Sequence, residues 1–236
     1  MTLAEILADL NARIGSSPEV SNALMTFWVN EGLRVFCDEY DFSWLQKKVI
    51  ASTVANQSDY ALPSDYGRVI ELQVDGTSTD PDPYQITSHE FRVLQPTSTH
   101  TFSIFGSTMT LNPVPTATGD GNIQLWYVKK PNPLVDDSDS PSDTDMASMP
   151  AVYHPALVQY AFSVYNSYDE EQDEAMKIMG SKTNPLPGTF YYFVKLAKDA
   201  EAKQKTGQRT KILSKQVFSG YRYPNQSSAF NTVLGN

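Results

Sequence analysis

Apolar positions recur with a helical period at both ends of this chain and with a strand period between them. Leu3, Ile6, Leu7 and Leu10 predict a first helix over residues 2–14, with Gly15 as its stop. A second helix is expected to run to about residue 40. Its start would be set by Ser17 as N-cap, Pro18 in the first helical position and Glu19 near the positive end of the dipole. Asn22, Thr26, Asn30, Arg34 and Asp38 form its polar stripe. Leu24, Phe27, Trp28, Val29, Leu33, Val35 and Phe36 make most of the remaining circumference apolar, the pattern of a central helix covered on several sides.

From residue 47 the period changes. Residues 47–53, 59–62, 68–74, 84–87, 102–105, 108–111 and 123–128 read as short strands. They are separated by turn signals at 63–66, at Asp75-Gly76, at Gly106 and at Gly119-Asp120-Gly121, with a short helix over 88–94 capped by Ser88. Helical spacing returns over 152–165, with Pro155 in the first turn, then over 169–179 and 189–205, where Gly207 supplies a stop. The fold class is therefore α+β. A helical bundle core is formed by N-terminal helices (1–46) and C-terminal helices (150–206). A small antiparallel β-sandwich or barrel is inserted at 47–135, followed by an acidic loop (136–149), and an extended C-terminal arm occupies 207–236.

Hydrophobic residues are 40% and aromatics 11%, which excludes a disordered chain. The 236 residues suffice for a core without disulfides, and the one cysteine, Cys37, has no intrachain partner. The N-terminal stretch lacks a secretory pattern and no window approaches a membrane span, so a protein folded in the cytoplasm is expected. The net charge of −9 argues against a surface given over to nucleic acid. The last thirty residues hold Arg209, Lys211, Lys215 and Arg222 and no acid; against the −9 of the whole chain, this leaves −13 on the preceding 206. Asp136, Asp137, Asp139, Asp143 and Asp145 crowd one segment that reads as a solvated loop or linker.

No catalytic, cofactor-binding or metal-ligating set emerges. His89, His100 and His154 are scattered, and Cys37 reads as a buried, inert thiol beside Phe36. Gly180-Ser181-Lys182-Thr183 imitates the end of a phosphate loop, but its upstream glycine is replaced by Ala175 and a helix precedes it. The acidic loop lacks the spacing and the glycine of a calcium loop. Tyr153, Tyr160, Tyr165 and Tyr168 suit core packing with hydroxyls at the rim, or a subunit interface. The arm is the anomaly. Val217, Phe218, Tyr221, Tyr223, Phe230, Val233 and Leu234 are spaced along it without a sustained period, as in a segment that orders against a partner.

Two ordered motifs carry a resemblance. One is the helix with Asn30 followed by Asp41-x-x-Trp44-Leu45; the other is Tyr60-x-Leu62-Pro63-x-Asp65-x-x-Arg68 leading into a strand. The segment around His154, Leu157 and Tyr160 adds a return helix. Together they resemble the head-to-tail adaptor proteins of tailed bacteriophages, the head-completion connectors, over roughly residues 23–205. The acidic loop and Pro155 depart from that pattern. The resemblance implies a structural virion protein of the neck, assembled in the host bacterial cytoplasm. It implies a homo-oligomeric ring, expected to be twelve-fold, stacked on the portal protein and presenting a platform to a downstream tail or nozzle protein. Double-stranded DNA would pass through the lumen without specific contact, and no membrane or cofactor is involved. Arg209, Lys211, Lys215, Val217, Phe218, Tyr221, Arg222, Tyr223 and Phe230 would meet the portal or a neighbouring subunit. Two other readings compete: a glycan-binding module with Tyr84, Trp126 and Tyr127 as a stacking platform, and a wall hydrolase using paired carboxylates, which no spacing favours.

Overall fold

A computed structural model describes residues 1–15, 20–74, 82–87 and 100–217, with the backbone alone over 82–83 and 205–217. Helix α1 (Leu3–Ile14) opens on a capping box. Thr2 Oγ1 accepts from the Glu5 N–H, and the Glu5 carboxylate accepts from the Thr2 N–H. Gly15 closes the helix at φ +71°, a left-handed geometry open to glycine. The predicted stripe, with Ile14 added, is the buried face.

Helix α2 (Asn22–Asp38) begins later than its pattern suggested. Val20 is buried and non-helical, and the extended Ser21 is the cap, accepting from the Leu24 N–H at 3.2 Å. Ser17, Pro18 and Glu19 lie outside the described residues. The helix buries Met25, Trp28, Val29, Gly32, Leu33, Phe36 and Cys37 against α1 and α3 (Pro155–Tyr168). The expectation of an apolar girdle covered on most sides needs correction: Phe27 is 64% exposed, and Leu24 and Val35 are only half-buried. Phe27 lies off the packed face.

A 3₁₀ turn (Ser43–Leu45) leads into two four-stranded sheets. The first has the order β1 (Gln46–Thr53), β8 (Gly119–Lys129), β3 (Tyr66–Val74), β4 (Asp82–Pro83). The second has β2 (Asp59–Ala61), β7 (Thr108–Asn112), β6 (Thr101–Phe105), β5 (Gln85–Ile86). All pairings are antiparallel except β5 with β6. Tyr60, Leu72, Phe102, Met109, Leu111, Ile123, Leu125 and Tyr127 fill the sandwich. Gly119-Asp120-Gly121 is not the predicted turn. It is a bulge within β8, where Thr53 pairs with Gly119 but Ala51 with Ile123. Gly121 supplies φ +66° there, and the Asn122 side chain pins the bulge by two 2.8 Å bonds to Thr53. The predicted turn at Asp75-Gly76 and helix at 88–94 lie outside the described residues.

The helical core gathers α1, α2, α3 and the start of α5 (Phe190–Val217) around Phe36, Phe42, Leu157 and Phe190. Pro155 holds the first position of α3, as its fixed φ favours. Helix α4 (Gln172–Met179) begins three residues later than expected, with Asp173 and Glu174 in its first turn. Helix α5 (Phe190–Val217) runs straight through Gly207. One interior glycine costs about 1 kcal/mol of helix propensity, and the good helix formers around it (Lys203, Gln204, Lys205, Gln208, Arg209, Lys211, Leu213) outweigh that. Residues 207–217 of the predicted extended arm are therefore helical. The chain divides into two compact units, Met1–Ala197 with both cores, and Lys198–Asn236, which starts within α5.

Candidate functional site

Most motif residues gather in the first unit at the joint between helical core and sandwich, while Tyr60 and Leu62 pack on the sandwich core. Asn30, in mid-α2, clamps a backbone unit: its Nδ2 donates to the Leu134 carbonyl at 2.9 Å and its Oδ1 accepts from the Leu134 N–H at 2.8 Å. An asparagine amide is the neutral side chain that can satisfy a peptide donor and acceptor at once. Leu134 itself is buried in the helical core. Asp41 pairs with Arg68, joining the end of α2 to β3. Trp44 stacks on Phe42, with ring centroids 4.2 Å apart and planes 10° apart, and reaches Tyr153; Leu45 is buried beside them.

Around the second motif, Pro63 accepts from the Tyr66 N–H at 3.0 Å and so closes the turn. Tyr60 OH donates to the Gln57 carbonyl and accepts from the Val54 N–H, and the Leu62 N–H donates to the Ser107 carbonyl. Asp65 is the hub. It accepts from Lys47 Nζ at 2.8 Å and from Tyr127 OH at 2.7 Å, and its carbonyl takes the Lys130 N–H. Burial raises the carboxyl pKa, but the Lys47 and Tyr127 hydrogen bonds outweigh it and hold Asp65 below the usual range. Burial, then the Asp65 bond, pushes the Tyr127 phenol up.

Strand β8 belongs to both cores. Tyr127 faces the sandwich, while Val128, on the opposite face, packs with the helices. The next residue, Lys129, is buried and donates to the Thr144 carbonyl at 2.6 Å and to Ser148 Oγ at 3.1 Å. Burial, then Lys47, lowers its pKa.

The acidic loop is solvated at its carboxylates, but its backbone is no free tether. The Leu3 and Ala4 N–H groups, orphans of the first helical turn, donate to the Asp139 and Asp137 carbonyls at 2.7 and 3.1 Å. The Asp139 carboxylate accepts from the Val135 and Asp136 N–H groups, which lower its pKa in that order. His154 is fully buried at the loop's far end, with Nε2 2.9 Å from Ser142 Oγ and Nδ1 2.9 Å from the Met1 amine. Burial, then the N-terminal charge, lowers its pKa.

The arm residues divide. Arg209, Lys211, Lys215 and Val217 lie on the C-terminal stretch of α5; Phe218, Tyr221, Arg222, Tyr223 and Phe230 lie outside the described residues. The glycan platform fails. Tyr127 is 0% exposed, and Trp126, adjacent on β8, faces the other way with Lys48 over its ring at 4.6 Å. Tyr84 packs on the sandwich core against His100. Cys37 is buried and its thiol is pushed up to about 12, chiefly by burial. Gly180 is a helix C-cap, and Lys182 bonds Glu39 at 2.6 Å. Leu134 and Lys129 escaped the sequence reading, and Tyr127 entered it only as a residue of the glycan platform. The only signal for Lys129 was a charge at an otherwise apolar strand end, and Leu134, beyond the strand, left none.

No described helix is long and apolar enough to cross a membrane. No curated protein sequence matches the chain significantly. A family model described as SU10 adaptor protein matches residues 1–183 and so takes in the sandwich, both motifs, the acidic loop and the helical core up to α5. With more than three quarters of its length matched, the chain belongs to the SU10 adaptor protein family, a family of phage adaptors.

Proposed function

We propose that the protein is a head-to-tail adaptor of the virion neck: a ring, expected to be twelve-fold, between the portal and a downstream tail or nozzle protein. It acts by assembly and not by catalysis. The match of residues 1–183 to the adaptor family carries this reading. The charge distribution supports it. A body carrying −13 lining a channel keeps double-stranded DNA from adhering during ejection, and the acid-free residues 207–236 suit an acidic groove on the portal or a neighbouring subunit. The joint supports it too, since a connector that transmits force along the neck needs its helical and β parts tied together. Assembly takes place in the host bacterial cytoplasm.

Two truncations test the arm. Removal of 207–236 should leave a folded body and abolish portal capture in a pull-down. Removal of 218–236, which keeps all of α5, should weaken capture with the same circular dichroism per residue. Undiminished capture by both would refute docking through the arm.

A further inference from the structure

The outer face of the second sheet carries a cleft of about 210 Å³, bordered among the described residues by Asp59, Thr87, Thr101, Ser103, Thr110 and Asn112, with Val114 at its edge. Even one water needs only roughly 10–15 Å³ by such a measure. The strand register sets these side chains in two rows. Asp59 lies opposite Thr110 and Thr110 opposite Ser103, while Asn112 lies opposite Thr101. A polar outer face on an antiparallel sheet is normally solvated, but Thr101 is 3% and Ser103 1% exposed. Ser103 Oγ has no hydrogen-bond partner among the described residues, an unusual state for a buried hydroxyl.

The remaining hydrogen-bond capacity of the cleft is mixed among its hydroxyls, but its one formal charge is negative. Thr110 Oγ1 donates to Asp59 Oδ1 at 2.6 Å, which leaves the threonine's lone pairs and Asp59 Oδ2 as acceptors. Asn112 Nδ2 donates to Thr101 Oγ1 at 3.4 Å, which leaves Asn112 Oδ1 as an acceptor. No Lys or Arg borders the cleft among the described residues, so the Asp59 charge is not neutralised there. One carboxylate without a neighbouring cation, free lone pairs on Thr110 and Asn112 beside it, and an unpaired buried hydroxyl suit a planar cation with several N–H donors. Phosphates are disfavoured by the same charge. We propose that this cleft takes the guanidinium of an arginine presented by a partner protein, with Asp59 as its charge partner and Ser103 Oγ as an acceptor at the floor. This site lies within one chain and does not depend on the ring.

The test is an NMR titration of the full chain with N-acetyl-argininamide, with the neutral isostere N-acetyl-citrullinamide as control. The expected result is saturable shifts at the Ser103, Thr110 and Asn112 amides with the arginine compound only. Asp59→Asn should weaken binding by about tenfold or more, the scale of one charged hydrogen bond. Ser103→Ala removes the unpaired hydroxyl without adding an atom to the buried site and should also weaken binding. Equal shifts with the citrulline compound, no shifts at all, or unchanged binding in a folded Ser103→Ala protein would overturn the proposal.

Discussion

Asn30 shows what a single side chain contributes here. Asn30→Ala would strand the N–H and C=O of Leu134 in a half-buried joint, a loss of about 1–3 kcal/mol. Asn30→Asp keeps the acceptor but sets a charge against the Leu134 carbonyl, so it should destabilise at least as much at pH 7. Urea melts of the three proteins check both. Titrating residues give a pH signature with opposite causes. The Asp65 pKa is depressed in the fold, so its contribution is complete above the ordinary value near ~3.9 and fades as pH falls through the lower folded value. The stability gap between wild type and Asp65→Asn should therefore close in acid. The His154 pKa is also lowered, but for a base this means that protonation opposes folding. Stability should decline as pH falls below about 6.5 and level off under the folded pKa; His154→Gln should flatten that limb. Native Cys37 should resist thiol reagents until the chain unfolds, since thiolate at neutral pH is negligible for a group at about 12.

At the scale of elements, the period of the apolar residues carried most of the architecture, because burial on one face writes itself directly into spacing. The stripe of α1 was legible for that reason, while the β-branched residues of 47–53 marked β1. Boundaries were less so. The α2 start depends on whether Val20 is drawn into the core, and α5 continues past Gly207 because its neighbours favour helix. Both are sums over several residues that a single punctuating residue does not reveal. Gly121 misled for a related reason: a bulge and a turn both need φ > 0. Packing also makes Gly32 more than a weak helix residue. A Cβ there would meet Tyr160 Cδ1, Cβ and Cγ at 2.9–3.0 Å, and Tyr160 is itself held against Phe190. Gly32→Ala should therefore destabilise by about 1–3 kcal/mol, against the about 1 kcal/mol that propensity alone would return. A thermal melt with the wrong sign would show that Tyr160 yields.

At the scale of the whole molecule, the sequence motifs pointed to residues whose joint purpose only the structure displays. Asn30, Asp41, Trp44, Leu45, Asp65 and Arg68 lie up to dozens of residues apart, yet all tie α2, β3 and the β8 exit into one joint. Their partners, Leu134 and Tyr127, could not be read in advance, because long-range pairing leaves no local spacing. The charge split of −13 and +4 was legible from composition and remains the physical basis of the assembly reading. That reading is tested most directly by cryo-electron microscopy of the full chain mixed with portal particles, beside the 207–236 deletion. The account predicts a ring of this protein stacked coaxially on the portal with the full chain, and bare portals with the truncated one. Portals left bare by the full-length protein would contradict it.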